Sequence, residues 1–221
     1  MAEQKQFIVL GLGTFGAALA KKLSANGCRV TGVDASEETV EELKDHLYAA
    51  VIGDATDYDT LKQLPLHTAN AVLVGMGEDI TKSLLATLHA KELGARRILV
   101  KGVTEDHGKI LKKLGVERVV FPEIEIAEEL ADSLTWPNII EFLHIDPEYS
   151  FMVLSVPDSL VGKTLQDVNL RRRFGVWVIG VKDAMKGDLT MFPDGQFVFG
   201  ADQMVLVVGR HKDLDKLREM T

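Results

Sequence analysis

Cysteine is almost absent from this sequence of 221 residues, in which Cys28 stands alone. A single cysteine excludes an intramolecular disulfide and a CxxC metal motif, and it is typical of proteins that stay in a reducing compartment. The 6 histidines form no HxH or HExxH pattern. The sequence therefore predicts no zinc site.

Basic charge is also scarce, with 25 Lys and Arg residues against 33 Asp and Glu residues and a net charge of -8. Binding to the phosphate backbone of a nucleic acid depends on a basic surplus that releases counterions. Neither side of Thr135 carries such a surplus. We therefore do not expect nucleic acid as a partner.

Long apolar runs are missing as well. The stretch from Gln63 to Gly77 is as long as any without Asp, Glu, Lys or Arg, and it contains Pro65 and His67. A membrane helix needs about 20 apolar residues, and the amino-terminal residues show no cleavable signal pattern. We expect a cytoplasmic protein that reaches a membrane only through a partner.

Short runs rich in Val and Ile alternate with longer amphipathic segments between Gln6 and Phe121, a pattern typical of buried parallel strands and crossover helices. Strands are predicted at 6–10, 29–33, 49–52, 71–75, 97–101 and 117–121. Helices are predicted at 14–25, 36–47, 79–93, 105–114 and 123–134. This alternation predicts an α/β fold, a Rossmann-like domain with a parallel six-stranded sheet over residues 1–134.

The pattern changes after Thr135. Trp136 precedes Pro137 and is therefore disfavoured in helical geometry, so residues 135–148 are predicted to form a linker or elbow. Strands are predicted at 150–156, 175–181 and 203–209, with helices at 162–173 and 211–220. These elements predict a small α+β C-terminal domain over residues 149–221.

The clearest local motif is a GxGxxG formed by Gly11, Gly13 and Gly16, between the first strand and the first helix. The three glycines permit a tight turn, close approach of the backbone to a pyrophosphate, and close packing of helix on strand. The helix N-terminus adds N–H donors and a partial positive charge. The motif, with Thr14 and Phe15 inside it, predicts a site for nucleotide phosphates.

Asp34 ends the second strand at the position where a carboxylate accepts the ribose hydroxyls of an adenosine. The same carboxylate repels a 2′-phosphate, and no arginine follows among Ala35, Ser36 and Glu37. The sequence therefore favours NAD over NADP, with Asp34 and Ala35 in the site.

Two further loops follow the third and fourth strands and so reach the same edge of the sheet. Asp54, Ala55 and Thr56 are candidates for the adenine side. In the other loop, Gly75 and Gly77 flank Met76 and would let the backbone approach a ligand. Ordinary turn geometry remains an alternative explanation for both loops.

Signals for catalysis are weak. Tyr58 and Lys62 form a YxxxK pattern, but it follows the third strand without a suitably placed serine, and an exposed helix face explains it. There is no GxSxG motif, and Cys28 is expected to be an inert core thiol. The run Arg171–Arg173 either binds an anion or complements a helix dipole. No catalytic residue is predicted.

The runs FIVLGLGTFG, VTGVD, GDATD, GMGED, ILVKG and FPE together resemble the TrkA-type regulatory subunits of Ktr and Trk potassium uptake systems, which are built from RCK domains. The later runs GKTLQDVNLRRRFGVWVIGVK, PDG and QMVLVVGRHKDL are similar to the C-terminal domain of the same family. The resemblance covers nearly the whole chain.

The resemblance implies a cytosolic regulatory protein without enzymatic activity. It implies homodimers that form through the helix after the sixth strand and assemble into an octameric ring beneath a membrane potassium-translocating subunit. ATP, ADP, NAD or NADH would bind in the Rossmann cleft and change the shape of the ring. In that cleft the three glycines would hold the phosphates, Asp34 the ribose and Asp54–Thr56 the adenine side, with Lys101 facing the phosphates.

Three details of the resemblance bear on ligands. Glu123 matches a position where a glutamate at the dimer contact helps to hold Mg²⁺ or Ca²⁺ near the phosphates, although a glutamate at a helix start is also good capping electrostatics. Thr14 departs from the arginine that is common in Ktr-type members, so it lacks a charge for the terminal phosphate of ATP. Some relatives bind cyclic di-AMP between C-terminal domains, and no pattern here decides that question.

Two other functions remain open at this stage. One is an NAD-dependent oxidoreductase with a small substrate domain, although the C-terminal residues offer no convincing acid or base for the nicotinamide. The other is a ligand-binding module of some other channel or exchanger.

Overall fold

The computed structural model describes residues 4–77, 79–136 and 138–218. The chain divides into two compact units, Met1–Glu123 and Ile124–Thr221. Every helix in the described part of the chain falls short of the length and apolar character that a membrane crossing requires. The domain bounds at 134 and 149 stay predictions.

The first unit alternates strands and helices as the sequence predicts. Its strands are β1 (Gln6–Leu10), β2 (Arg29–Asp34), β3 (Ala49–Ile52), β4 (Ala71–Val74), β5 (Ile98–Lys101) and β6 (Arg118–Val120). Its helices are α1 (Thr14–Ala25), α2 (Glu37–Leu43), α3 (Tyr58–Lys62), α4 (Ile80–Glu92) and α5 (Glu105–Leu114), and α6 (Pro122–Thr135) begins within it.

The six strands form one parallel sheet in the order β3-β2-β1-β4-β5-β6. Leu10 of β1 lies opposite Val33 of β2 on one side and opposite Val74 of β4 on the other. These three side chains are buried in a core on one face of the sheet, and Val9 joins a second core on the opposite face. The predicted Rossmann-like sheet is therefore confirmed.

Side-chain caps fix where the helices of this unit begin. Ser36, Asp57, Asp79 and Thr104 each accept a hydrogen bond from the backbone N–H three residues later. Such a cap stabilises a helix by about 1 kcal/mol because it pairs a donor that the helix leaves open. The four caps set the start of α2, α3, α4 and α5 at the edge where the strands end.

The second unit contains an antiparallel sheet of five strands. Its strands are β7 (Ile139–His144), β8 (Tyr149–Ser155), β9 (Trp177–Asp183), β10 (Leu189–Met191) and β11 (Gln203–Arg210), in the order β10-β9-β11-β8-β7. Its helices after α6 are α7 (Leu165–Val168), α8 (Leu170–Phe174) and α9 (His211–Arg218). Met152, Val207 and Leu214 are among the fully buried side chains of its core.

Three elements of this unit differ from the sequence expectation, which contains no strand at β10. Strand β7 lies inside the segment 135–148 that is predicted as a linker, and a bulge between Ile139 and Glu141 breaks the alternation that would have revealed it. The predicted helix 162–173 is interrupted at Asn169, whose φ of 47° is left-handed. Trp136 follows α6 directly, whereas Pro137 lies outside the described residues.

Candidate functional site

The candidate site lies where the parallel strands end. The order of the sheet reverses between β1 and β4, and in open α/β sheets this reversal opens a crevice at the carboxyl ends of the strands. Backbone hydrogen bonds connect the loops at this edge to the strands. Gly11 N–H donates to Val33 O at 2.8 Å, and Gly75 N–H donates to Leu10 O at 2.8 Å. The predicted site residues lie at or just after the carboxyl ends of these strands.

The glycine-rich turn has the geometry that a phosphate loop requires. Gly11 has a φ of 89°, and a Cβ added at Gly16 would lie 2.0 Å from Gly11 O, so neither position accepts a larger residue easily. A Cβ added at Gly13 would meet nothing within 4 Å. Gly16 therefore serves helix packing, whereas the open space at Gly13 leaves the backbone accessible to a ligand.

The N-terminus of α1 suits an anion. Gly13 is its N-cap residue and makes no side-chain cap bond, and the first turn contains no acidic residue. Thr14, the first residue of the helix, is exposed, while Phe15 is half-buried. Open N–H groups and the positive end of the helix dipole favour a bound phosphate here.

Asp34 joins the glycine-rich turn to the start of α2. Its Oδ2 accepts a hydrogen bond from Leu12 N–H at 2.6 Å, and its Oδ1 accepts one from Ser36 N–H at 2.9 Å. Each carboxylate oxygen keeps further acceptor capacity for a ribose hydroxyl. Ala35, the neighbouring candidate, is exposed.

The loop at Asp54–Thr56 is tied to the end of β2, because Gly53 N–H donates to Asp34 O at 2.9 Å. Asp54 Oδ1 accepts bonds from the Thr56 hydroxyl at 2.7 Å and the Thr56 N–H at 2.8 Å. These bonds lower the pKa of the Asp54 carboxyl, the hydroxyl having the largest effect. Ala55 is buried, which leaves the Asp54 carboxylate as the exposed group of this loop.

Lys101 ends β5 beside the turn. A small cavity of about 160 Å³ is lined by site candidates Phe15, Gly16, Gly75 and Lys101 together with apolar residues of the sheet. Met76 is half-buried and Gly77 exposed in the loop that follows Gly75. The structure therefore brings residues of three predicted segments to one cavity.

The ammonium group of Lys101 forms an ion pair with the Glu123 carboxylate at the start of α6. The Lys101 side chain is 13% exposed and that of Glu123 is 69% exposed. The hydrogen bond from Lys101 lowers the pKa of the Glu123 carboxyl. Lys101 thus has a carboxylate partner, and a phosphate would have to compete with it.

The residues around Glu123 do not fit a divalent cation on their own. Hard cations take six or more oxygen ligands, and among the described residues no cluster of three or more His, Cys, Asp or Glu side chains is found. The Lys101 ammonium group, which is paired with the Glu123 carboxylate, would also repel a metal ion at that carboxylate. Further ligands would have to come from outside this chain.

Two contributors to this edge escape sequence analysis. Leu12 acts through its backbone N–H, which any residue supplies. His89, far along α4, places its ring Nδ1 3.0 Å from Thr56 O. No local motif links positions 33 residues apart, so no sequence signal was available to find it.

Solved structures with this fold include RCK proteins. The crystal structure of the GsuK RCK domain is 20% identical and covers 99% of this chain, with a TM-score of 0.65. The GsuK channel bound to NAD is 20% identical and covers 96%, with a TM-score of 0.64. This chain spans only 48% and 38% of those two chains. The likeness shows the fold.

Sequence comparisons identify the family. The TrkA-N domain model matches residues 7–122 and the TrkA-C domain model matches residues 151–221. Ktr system potassium uptake protein C of Bacillus subtilis is 33% identical, over 98% of this chain and 97% of the relative. Protein A of the same organism is 32% identical, over 97% and 96%. The chain therefore belongs to the TrkA-N/TrkA-C family that includes the Ktr system potassium uptake proteins.

Proposed function

We propose that this chain is the nucleotide-binding regulatory subunit of a Ktr-type potassium uptake system. The proposal is based on the edge of the first sheet where the parallel strands end. At this edge the N-terminus of α1, at Gly13, has open N–H groups and lies at a crevice that Asp34 and Asp54 border. Relatives that match over nearly the full length of the chain include two Ktr system potassium uptake proteins. Regulation by a bound nucleotide needs no catalytic residue, so we propose that the chain is not an enzyme.

The ligand is an adenine nucleotide, either ATP or ADP or the dinucleotides NAD or NADH. Gly11, Gly13 and Gly16 would carry phosphates, with Asp34 on the ribose. The GsuK channel, which shares the fold, has been solved with NAD. Thr14 offers no charge to a terminal phosphate, which favours a dinucleotide over ATP in this chain.

Nucleotide binding would regulate transport by shifting the balance between two conformations of an assembly. A ligand changes such a balance only by the difference between its affinities for the two states. No chemical step is required, because the binding energy itself is the signal. Whether the signal opens or closes the ion pathway depends on which conformation the nucleotide prefers.

The assembly would begin with a homodimer formed through α6. Ile126, Leu130 and Leu134 lie along this helix and are 62%, 57% and 74% exposed. A helix that leaves such an apolar stripe in water gains free energy when a second copy covers it. We propose that dimers assemble further into an octameric ring on the inner face of the membrane, against a potassium-translocating subunit.

Two further ligands stay predictions. Mg²⁺ or Ca²⁺ at Glu123 would need oxygen ligands from the nucleotide phosphates and a partner subunit, and it would have to displace Lys101. Cyclic di-AMP at the C-terminal domain remains open, since no residue pattern in that domain identifies its site.

Calorimetric titration of the purified protein with ADP, ATP, NAD and NADH, each with and without Mg²⁺ or Ca²⁺, tests the proposal. We expect NAD or NADH and ADP to compete for one site per chain. Potassium flux into proteoliposomes that contain the membrane subunit should then change when the bound nucleotide changes. Absence of binding by all four ligands would refute the nucleotide site, and turnover of NADH with a small substrate would instead support an oxidoreductase.

A further inference from the structure

His89 connects a core helix to one of the candidate ligand loops. It lies in the third turn of α4 with its ring half-buried, and its Nδ1 is 3.0 Å from Thr56 O. Because a carbonyl oxygen can only accept, Nδ1 carries the proton and donates. The ring also packs edge-on against Tyr58, with centroids 5.4 Å apart and planes at 88°.

The loop that His89 holds contains the Asp54 carboxylate. Thr56 donates twice to Asp54 Oδ1, from its hydroxyl and from its N–H. The direction of the carboxylate therefore depends on the position of Thr56. His89 fixes the carbonyl of that residue from outside the loop.

The helix that carries His89 is firmly placed. Thr87 and Ala90, its neighbours on α4, are fully buried. The helix starts at its N-cap residue Asp79, shortly after the loop of Gly75 and Gly77. One rigid element thus begins at one candidate ligand loop and holds the other, which is how precise binding sites are supported.

We propose that His89 is a positioning residue that holds the Asp54–Thr56 loop in the conformation that receives the adenosine half of the bound nucleotide. This inference rests on the proposed function. A loop that is ordered before binding loses less conformational entropy when the ligand arrives, so the contact raises affinity without touching the ligand.

Affinity for ADP, measured by calorimetry on wild type, His89→Leu and His89→Asn, tests the proposal. Leucine removes the donor, whereas the asparagine amide places an N–H close to where Nδ1 lies. We expect His89→Leu to weaken ADP binding by about 3- to 10-fold, the value of one net hydrogen bond. His89→Asn should recover most of the loss, and the exposed-residue control His46→Leu should bind as wild type does.

A double-mutant cycle separates positioning from general loss of structure. If His89 acts through the loop, the cost of His89→Leu should shrink to less than twofold in an Asp54→Ala background, because the carboxylate it positions is gone. Hydrogen exchange of the amides at 53–57 should also accelerate in His89→Leu. If His89→Leu causes the same loss of ADP affinity in wild type and in the Asp54→Ala variant, the proposal is overturned.

The outcomes distinguish this inference from the function on which it rests. If wild type binds none of the adenine nucleotides, the proposed function fails. If wild type binds ADP and either His89→Leu or Asp54→Ala binds it equally well, only the positioning role fails. Should His89→Leu not fold, His89→Gln replaces it, since its amide lies one methylene too far to reproduce Nδ1. Equal affinities of His89→Gln and His89→Asn would then refute the proposal.

Discussion

Asp34 Oδ2 accepts a hydrogen bond from the backbone N–H of Leu12 at 2.6 Å, so the end of β2 is joined directly to the glycine-rich turn. The other carboxylate oxygen accepts from Ser36 N–H at 2.9 Å. One side chain therefore orients both the glycine-rich turn and the start of α2. Because Asp34 lies beside the crevice, we expect its replacement to weaken the binding of a ribose.

Replacing Asp34 with alanine should weaken binding of ADP and NAD by about 10- to 1000-fold, because hydrogen bonds from ribose hydroxyls to a charged acceptor are each worth about 1.5–3 kcal/mol. Calorimetric titration measures the loss. The protein should stay folded, since the substitution removes no core volume. Asp45→Ala, on an exposed carboxylate away from the crevice, is the matched control, and equal affinity of Asp34→Ala and wild type would refute the ribose assignment.

Two glycines of the turn should respond to alanine in opposite ways. Gly16→Ala places a Cβ 2.0 Å from Gly11 O, so it should destabilise the protein by about 1–3 kcal/mol, the usual cost of overpacking. Gly13→Ala meets no neighbour and should unfold at the wild-type urea midpoint while its affinity for NAD falls. A stable Gly16→Ala variant with wild-type affinity would contradict the packing geometry.

Local signals in the sequence predict the six strands of the first unit and most of its helices, although α3 is not among the predicted helices. The turn from Gly11 to Gly16 and the capping residue Ser36 act on residues a few positions away, so their spacing alone predicts their geometry. Strand β7 could not be predicted because its pairing with β8 contains a bulge. The contact of His89 with Thr56 depends on how α4 packs. Because the two residues are far apart in the sequence, no local motif or periodic pattern predicts the contact.

Buried His107 should make stability depend on pH. It is 1% exposed and its Nδ1 accepts from Val103 N–H, while its Nε2 has no hydrogen-bond partner among the described residues. Burial lowers the pKa of this imidazole. The unfolded chain therefore takes up the proton first, so stability is full above the ordinary pKa of about 6.5 and falls as the pH drops from there toward the lowered value.

Urea unfolding of wild type and His107→Asn between pH 5 and pH 7.5 measures this effect. The variant should be less stable at pH 7.5 but should lose less stability on acidification. The free energy of unfolding of His46→Asn, which changes an exposed histidine, should change with pH as that of wild type does. If the free energies of unfolding of His107→Asn and wild type change equally with pH, another group causes the pH dependence.

The exposed stripe of α6 predicts the oligomeric state. Leu130→Asp should shift the protein from dimer or larger assemblies toward monomer in light scattering, because a charge replaces an apolar side chain that a second copy would cover. Glu129→Gln, a change on the same helix, should leave the mass unchanged. A wild-type protein that is monomeric with and without nucleotide would contradict assembly through α6.

The ion pair between Lys101 and Glu123 predicts how the site responds to phosphate charge. Lys101 is the more buried partner, so removal of the competing carboxylate in Glu123→Gln should leave its ammonium available to a phosphate. We expect ADP to bind about 2- to 5-fold more tightly to Glu123→Gln than to wild type at low salt, by the energy of a partly exposed ion pair. Lys101→Met should instead weaken ADP binding. Added salt should reduce the changes in ADP affinity of both variants because it screens exposed charge. If Glu123→Gln weakens ADP binding as much as Lys101→Met does, the Glu123 carboxylate supports ADP binding and does not compete with it. Repeating the titration with Mg²⁺ would then show whether the carboxylate acts through a bound cation.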